Sequence, residues 1–304
     1  MRAIVLDRFG GPEVLGLAER PDPSPASGEL VVRVLAANVN PTDLAARQGF
    51  VVGDPVQPPL VLGWDFAGTV EAVGPAVSGR HVGERVVGMI PWYAIHGRTG
   101  AYAELVAVDA DWVVALPDGL DPVEAATIPL NALTAVQALA LLRPDPASPL
   151  LVTGASGSVG GFAAQLATAA GHEVTALAGR DDDAFVAGLG VARALPRGAD
   201  LSGEGPFPFV LDGVPLGAAA LAAVADGGAV VSTRPVPPAD PARRVRQDVV
   251  LIQADQPALE ALVADVAAGR LRTRVDRTVP FAEAAEAHRL VEAGGLHGKV
   301  VLVP

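Results

Sequence analysis

The chain has 304 residues, 50% of them hydrophobic, a formal net charge of −12 and no cysteine. That composition excludes disorder and provides for one or two sizeable cores. With no basic run, it also argues against nucleic acid and anionic membrane as partners, and it rules out disulfides and thiolate-bound zinc.

The opening stretch, MRAIVLDRFGG, lacks the apolar core of a signal peptide and reads as a strand. Short β-like runs divided by Gly and Pro follow at Leu30–Val34, Gly68–Val73, Glu84–Met89 and Tyr102–Val108, an all-β pattern. Ala125–Leu142 is apolar enough to imitate a membrane helix, but Pro129, Asn131, Thr134 and Gln137 interrupt a span barely long enough to cross. A buried helix is expected there, in a soluble, cytoplasmic protein. From about Pro122 onward, helices alternate with strands. Strands are predicted at 150–153, 173–178, 208–212, 228–233 and 248–252, and helices at 159–170, 181–188, 216–225 and 257–268, which together make a doubly wound parallel sheet. The closing HGKVVLVP returns to a strand expected to rejoin the first domain. The expectation is an α/β chain in which a Rossmann domain over 120–272 is inserted in a mainly β domain built from 1–119 and 273–304. Lys299, in that closing stretch, is the only lysine among 22 basic residues, a bias ascribed to GC-rich coding rather than to function.

Within the second half, Leu150–Arg180 reads LLVTGASGSVGGFAAQLATAAGHEVTALAGR. The glycines Gly154, Gly157 and Gly160 stand between an apolar run, Leu150–Val152, and residues at helical spacing, Val159, Phe162, Leu166, Ala167 and Ala170. Gly171 stops the helix and a β-branched run, Val174–Ala178, follows. Strand, turn, helix and strand within about 30 residues form one βαβ unit. Residues without Cβ let backbone N–H groups approach a pyrophosphate, and the helix N-terminus presents unsatisfied donors and a positive dipole end. Against the pattern G-x-G-x-x-G the chain has Ala155-Ser156-Gly157-Ser158-Val159-Gly160, with alanine first. A dinucleotide cradle and a ligand-free turn both fit, and the flanks favour the cradle.

NAD-type sites place Asp or Glu at the end of the second strand to hold the ribose hydroxyls. This chain has Gly179 and then Arg180. Glycine leaves room and a guanidinium pairs bidentately with a 2′-phosphate, which favours NADPH. Asp181, Asp182 and Asp183 would repel that phosphate, and a solvated surface charge is the other reading of Arg180.

Several stretches in order then resemble the medium-chain dehydrogenase/reductase superfamily, most of all its zinc-free, ζ-crystallin-like quinone oxidoreductase branch. They are ANVNPTDLAARQG (Ala37–Gly49), PLVLGWDFAGTVEAVG (Pro59–Gly74), VGERVVG (Val82–Gly88), GAYAEL (Gly100–Leu105), EAATIPLNALTAVQAL (Glu124–Leu139), the glycine turn, and AEAHRLVEAGGLHGKVVLV (Ala285–Val303). The resemblance covers nearly the whole chain and implies a GroES-like first domain. Zinc-dependent members carry a cysteine where Asn40 stands before Pro41, Thr42 and Asp43, and His-Glu where Trp64-Asp65 follows Gly63. The cysteine-rich zinc lobe is missing, so no metal site is expected. Members often have a tyrosine just after the position of Gly49, where this chain has Phe50.

The resemblance also implies roles. Thr134 would lie near the nicotinamide, its other reading being a hydroxyl bonded to helix backbone. Ser156, Gly157, Ser158 and Val159 would line the pyrophosphate. Leu211, Asp212 and Gly213 end a parallel strand where such sheets open onto their ligand, though a plain strand-ending turn fits equally. Asn40, Asp43, Phe50, Trp64, Trp92, Tyr93 and Asn131 are cleft candidates, with Asn40 and Tyr93 as catalytic candidates. The flat faces of Trp92 and Tyr93 suit a planar quinone or enone, and equally a loop anchor. Asp43 has a second reading as a helix cap.

The expected function is NADPH-dependent, zinc-independent hydride transfer to a quinone or α,β-unsaturated carbonyl. An enoyl-thioester reductase and a non-catalytic NADPH-binding sensor are the alternatives. The strand Asp248–Ile252 is too apolar for a bare edge. A homodimer is expected from pairing it with its two-fold mate, as the resemblance implies.

Overall fold

A computed structural model describes residues 1–304, with only the side chain of Arg180 outside the described residues. The chain forms two compact units, one of Met1–Leu130, Gln253–Arg270 and Arg274–Pro304, the other of Asn131–Ile252 and Leu271–Thr273.

The first unit begins with β1 (Arg2–Leu6), β2 (Leu15–Glu19), β3 (Glu29–Asn38), helix α1 (Pro41–Arg47), β4 (Leu60–Val61), β5 (Asp65–Val73), β6 (Arg85–Met89), β7 (Leu105–Asp109), β8 (Val113–Ala115) and helix α2 (Pro122–Ala125). β1 pairs antiparallel with both β2 and β4. β3 is the hub of the larger sheet, antiparallel to β5 and β7. Its crossing with β5 depends on Gly68, where a Cβ would stand 2.2 Å from the Arg33 carbonyl. β7 starts at Leu105, later than expected. The residues before it pair elsewhere: Ala101 and Tyr102 donate to Gly63 and Leu62, and Ala103 bridges to Ala3.

Helix α3 (Pro129–Leu142) leads into the second unit, followed by β9 (Pro149–Thr153), α4 (Ser158–Ala169), β10 (Glu173–Ala178), α5 (Asp183–Ala187), β11 (Arg193–Pro196), α6 (Leu201–Glu204), β12 (Phe207–Asp212), α7 (Ala218–Ala222), β13 (Val224–Ser232) and β14 (Arg246–Val249). The six strands lie in the order β11-β10-β9-β12-β13-β14 and are parallel throughout, the doubly wound arrangement. β9 and β10 are buried at every residue but their first, so they read as continuous apolar runs rather than alternating ones. Leu151, Leu177, Val210 and Val230 pack with Leu201 and Leu221 into one core. The stretch Pro122–Leu142 is long and apolar enough to cross a membrane, and 72% of its most apolar window is buried inside the protein. Arg246 anchors the end of α3 by donating to the carbonyls of Leu141 and Leu142.

Three expectations need correction here. β11 was not foreseen, because three of its four residues are exposed and no apolar run marks them. The helix expected over 216–225 is only α7, since Val224 already begins β13. The strand expected over 248–252 runs instead over Arg246–Val249, leaving Leu251 outside it and 62% exposed.

The chain then returns to the first unit with α8 (Gln256–Ala267), β15 (Val275–Pro280), α9 (Ala284–Ala293) and β16 (Lys299–Val303). The placement of α8 differs from the expected boundary at 272, because Gln256 donates to the carbonyls of Ala110 and Val113 beside β8. β16 is parallel to β15 and antiparallel to β3 at Val301–Asn38 and Leu302–Ala37. The end of the sequence thus meets the strand that leads into α1.

Candidate active site

In the first unit, β3 ends at Asn38 and α1 begins at Pro41, with extended Asn40 as its N-cap. Asp43, in the first turn, accepts from the Asn40 N–H at 2.8 Å, a cap that closes the helix start. The capping role of Asp43 is therefore visible, and it is fully buried.

Around it lies a buried polar network. Lys299 Nζ, brought in by β16, donates to Asn40 Oδ1 at 2.8 Å. Asn40 Nδ2 donates to Asp65 Oδ2 at 2.8 Å, and Asn38 Nδ2 bridges Asn40 Oδ1 and Asp65 Oδ2 at 3.0 Å each. Asp65 Oδ1 accepts from the Leu130 N–H at 2.7 Å. An ammonium can only donate and a carboxylate only accept, so both neighbours agree on which way the Asn40 amide faces.

Burial dominates the acidities here. Desolvation pushes Asp65 up to about 6 against donors Asn40, Asn38 and Leu130 and the charge of Lys299. Desolvation, with Asp65 as a like charge, pushes Asp43 up to about 8 against the backbone donors Asn40 and Gly63 and the Lys299 charge. It also lowers Lys299 to about 8 while Asp65 and Asp43 hold the ammonium charged. The Tyr102 hydroxyl sits beside Asp43 and is pushed up by burial. Neither that hydroxyl nor Asp43 Oδ1 has a partner in hydrogen-bond geometry.

Asn40 and both tryptophans differ from what was expected of cleft residues. Asn40 is fully buried and held by the network, so it acts on its neighbours. Trp64 and Trp92 are also buried, with ring centroids 5.0 Å apart, and Trp92 Nε1 donates to the Val61 carbonyl at 2.8 Å. They form the loop anchor. Tyr93 packs edge-on against both and remains half-buried. Its hydroxyl accepts from Thr42 Oγ1 at 2.8 Å and lies 3.5 Å from the carbonyl of Phe50, whose own side chain is 70% exposed. Thr42, Lys299 and Asn38 were not singled out by the sequence. Thr42 had a signal, its place beside the Asn40–Asp43 cap, and Lys299 had its solitude.

In the second unit, Gly157 caps α4, with Ser158 and Val159 half-exposed in the first helical turn. A Cβ at Gly160 would stand 2.4 Å from the Gly154 carbonyl oxygen and 2.7 Å from that of Thr153, so only glycine lets the helix sit this close to β9. A Cβ at Gly213 would meet the Thr153 carbonyl at 2.8 Å. Ser156 Oγ accepts from the Gly179 N–H at 3.3 Å, joining the glycine turn to the end of β10. The Arg180 side chain lies outside the described residues. The place beside Gly179 is taken by a carboxylate from farther along, since a Cβ there would come within 3.1 Å of Asp182 Oδ2.

Asp212 is buried and turned inward. Its Oδ1 accepts from Thr153 Oγ1 at 2.6 Å and its Oδ2 from the N–H of Leu216 at 3.0 Å. It thereby fixes the loop after β12, and Leu211 beside it is core. On α3, Asn131 and Thr134 are both nearly buried. The bare backbone at a twelve-residue helix start fits the pyrophosphate of a nicotinamide dinucleotide.

Two family matches cover separate parts of the chain, an alcohol dehydrogenase GroES-like domain over residues 26–118 and a zinc-binding dehydrogenase over residues 193–302. A chloroplastic quinone-oxidoreductase homolog of Spinacia oleracea is 31% identical, covering 100% of this chain and 98% of that protein. A chloroplastic NADPH-dependent alkenal/one oxidoreductase of Arabidopsis thaliana is 29% identical, over 100% of this chain and 80% of that protein. A synaptic vesicle membrane protein VAT-1 homolog-like of Mus musculus is 39% identical over 55% of this chain, a match spanning only 38% of that protein's length. The solved quinone oxidoreductase of Coxiella burnetii superposes with a TM-score of 0.88 at 29% identity, covering 100% and 99% of the two chains.

These relatives overturn the expectation of a cytoplasmic protein, because the full-length plant proteins are chloroplastic. The zinc-binding description does not fit the donor set. Among the described residues no group of three or more His, Cys, Asp or Glu could share an ion. Asn40 Oδ1 already holds an ammonium, and the Trp64 indole has no lone pair to give. A relative 31% identical over its whole length, together with the matching two-domain fold, places the chain in the medium-chain dehydrogenase/reductase superfamily, among quinone oxidoreductase-like members.

Proposed function

We propose that this enzyme is an NADPH-dependent reductase of quinones or α,β-unsaturated carbonyls that needs no metal ion. The observation that carries the reading is the glycine turn ahead of α4, where a side chain has no room at Gly160 and the twelve-residue helix starts at Gly157, a residue without a side chain. Ser156, Ser158 and Val159 would border the pyrophosphate, with Arg180 on the 2′-phosphate and Asp182 opposing it. When bound, the nicotinamide supplies the hydride.

The chain's own part is orientation and a proton. Thr42 donates to Tyr93 Oη, so the tyrosine's own proton is directed elsewhere, toward the Phe50 carbonyl at 3.5 Å. That contact is at the outer limit of a hydrogen bond and is readily exchanged for a substrate atom. Tyr93 is the proton donor for an enone. A quinone oxyanion can take its proton from water. The full-length relatives named for quinone and for alkenal/one reduction support this acceptor class.

NADPH oxidation measured against a panel of quinones, enals and enoyl thioesters tests the reading. Tyr93→Phe should cost about 10²-fold with enones and little with quinones. Arg180→Ala should weaken NADPH by about 1.5–3 kcal/mol and spare NADH. Equal weakening of both nucleotides, or no turnover with any acceptor, would reject it. A homodimer through the edge strand β14 is part of the proposal, and a monomer mass by light scattering at micromolar concentration would contradict that part.

A further inference from the structure

We propose that Lys299 is the internal cation of the first unit, closing the Asn38–Asn40–Asp65 network and fixing the Asn40 carboxamide, so that the centre is complete without a metal ion. Lysine is used once in this chain, against 22 basic residues in all. Coding bias explains why arginine is common but not why the one exception lies 8% exposed inside a polar cluster. The site itself explains it. An arginine fork carries five N–H donors and a rigid plane, whereas an ammonium is a compact charge with three donors.

The charges agree with this assignment. Asp65 from β5 and Asp43 from α1 are the titratable groups that act on Lys299, and below about pH 8 Asp43 holds its proton. Arg47, the other buried cation nearby, is already engaged by Glu292, by the Gly10 carbonyl at 3.0 Å and by His288 Nδ1 at 3.3 Å. With Asp43 neutral, the Asp65–Lys299 pair leaves the cluster without net charge. A divalent ion would have to displace an ammonium hydrogen-bonded 2.8 Å from the Asn40 oxygen. Lys299 acts through Asn40 and is therefore a positioning residue.

The single lysine makes the test clean. Protein labelled with ε-¹⁵N-lysine should give one side-chain ammonium signal at neutral pH, protected from exchange with water and titrating below the midpoint of free lysine. Asp65→Asn should move that signal, and added zinc should not. A signal exchanging like that of an exposed lysine, or one displaced by one equivalent of zinc, overturns the proposal.

Melting temperatures supply the second arm. Lys299→Met should lower the apparent Tm by roughly 10 °C by leaving Asp65 buried without its cation. The double variant Lys299→Met/Asp65→Asn should lose less than the two single losses combined. Additive losses count against a charge-compensating role. Should the methionine variant fail to fold, the labelled wild-type protein decides alone.

Discussion

In the first unit, Asn38, Asn40, Asp65 and Lys299 meet side chain to side chain, all buried, and both ends of the Asn40 amide have their direction set by neighbours. In the second unit, Gly154, Gly160 and Gly213 meet as bare backbone, and the site is defined by side chains that are missing. One centre depends on which functional groups are present and the other on how little space is filled. The two should therefore fail in different ways when altered. The first should lose stability and its response to pH, and the second should lose nucleotide binding first.

The largest effect is expected for Asp65→Ala. It removes one of the two acceptors of Asn38 Nδ2 and the carboxylate that accepts from Asn40 Nδ2 and from the Leu130 N–H, and it takes the counter-charge from Lys299. A loss of about 3–5 kcal/mol in denaturant unfolding should follow. A change below 1 kcal/mol would show that the network holds little of the fold.

The pH dependence comes next. Asp43 and Asp65 are raised, to about 8 and about 6, so the folded protein holds protons that the unfolded chain releases near pH 4. Their stabilisation is complete below that value. It is lost with rising pH, through about 6 for Asp65 and about 8 for Asp43, at no more than about 1.4 kcal/mol per pH unit for each group. Lys299 is lowered to about 8, so above that pH the sign reverses and stability recovers toward the pH at which the unfolded lysine titrates. The melting temperature should therefore pass through a trough near pH 8. Asp43→Asn, which imitates the neutral acid, should flatten the limb between pH 6 and 8. A steeper limb in that variant would reverse the assignment.

In the second unit, Gly160→Ala should cost about 1–3 kcal/mol of stability, because the atoms its Cβ meets are backbone and must move. NADPH affinity, read by fluorescence titration, should fall along with it while the quality of the Lys299 signal is unchanged. The smallest effect is expected for Thr42→Val. Removing the donor to Tyr93 costs about 0.5–1.5 kcal/mol of orientation, a several-fold loss with enones. Thr42→Ser should restore it, and an equal loss with quinones would remove Tyr93 from the proton path.

The contrast also explains what could be read in advance. The glycine turn announced itself because its strand, turn, helix and strand are neighbours in sequence and each carries a local signal. The polar network did not, because its partners are 25 and 259 residues apart and nothing local marks the pairing. Asn40 could be selected by resemblance, yet whether it faces a ligand or its own lysine depends on where β16 lies. The burial of Trp64 and Trp92 was similarly hidden, since loop aromatics have no periodicity to show which side they face. Thr42 and Tyr93, 51 residues apart, meet only because α1 and the loop after β6 are both held by this framework.

The separation of Asn40 from Lys299 has a consequence for how the molecule comes into being. During synthesis, all of the second unit except Leu271–Thr273 is complete by Ile252, and the parallel sheet can form early. The first unit has by then Asp65 but not the ammonium that pairs with it. Until β16 pairs with β3, Asp65 would have to be buried either without its cation or as the neutral acid. The network is thus closed by the element that enters it last, β16, which carries the ammonium to Asn40 and pairs with β3.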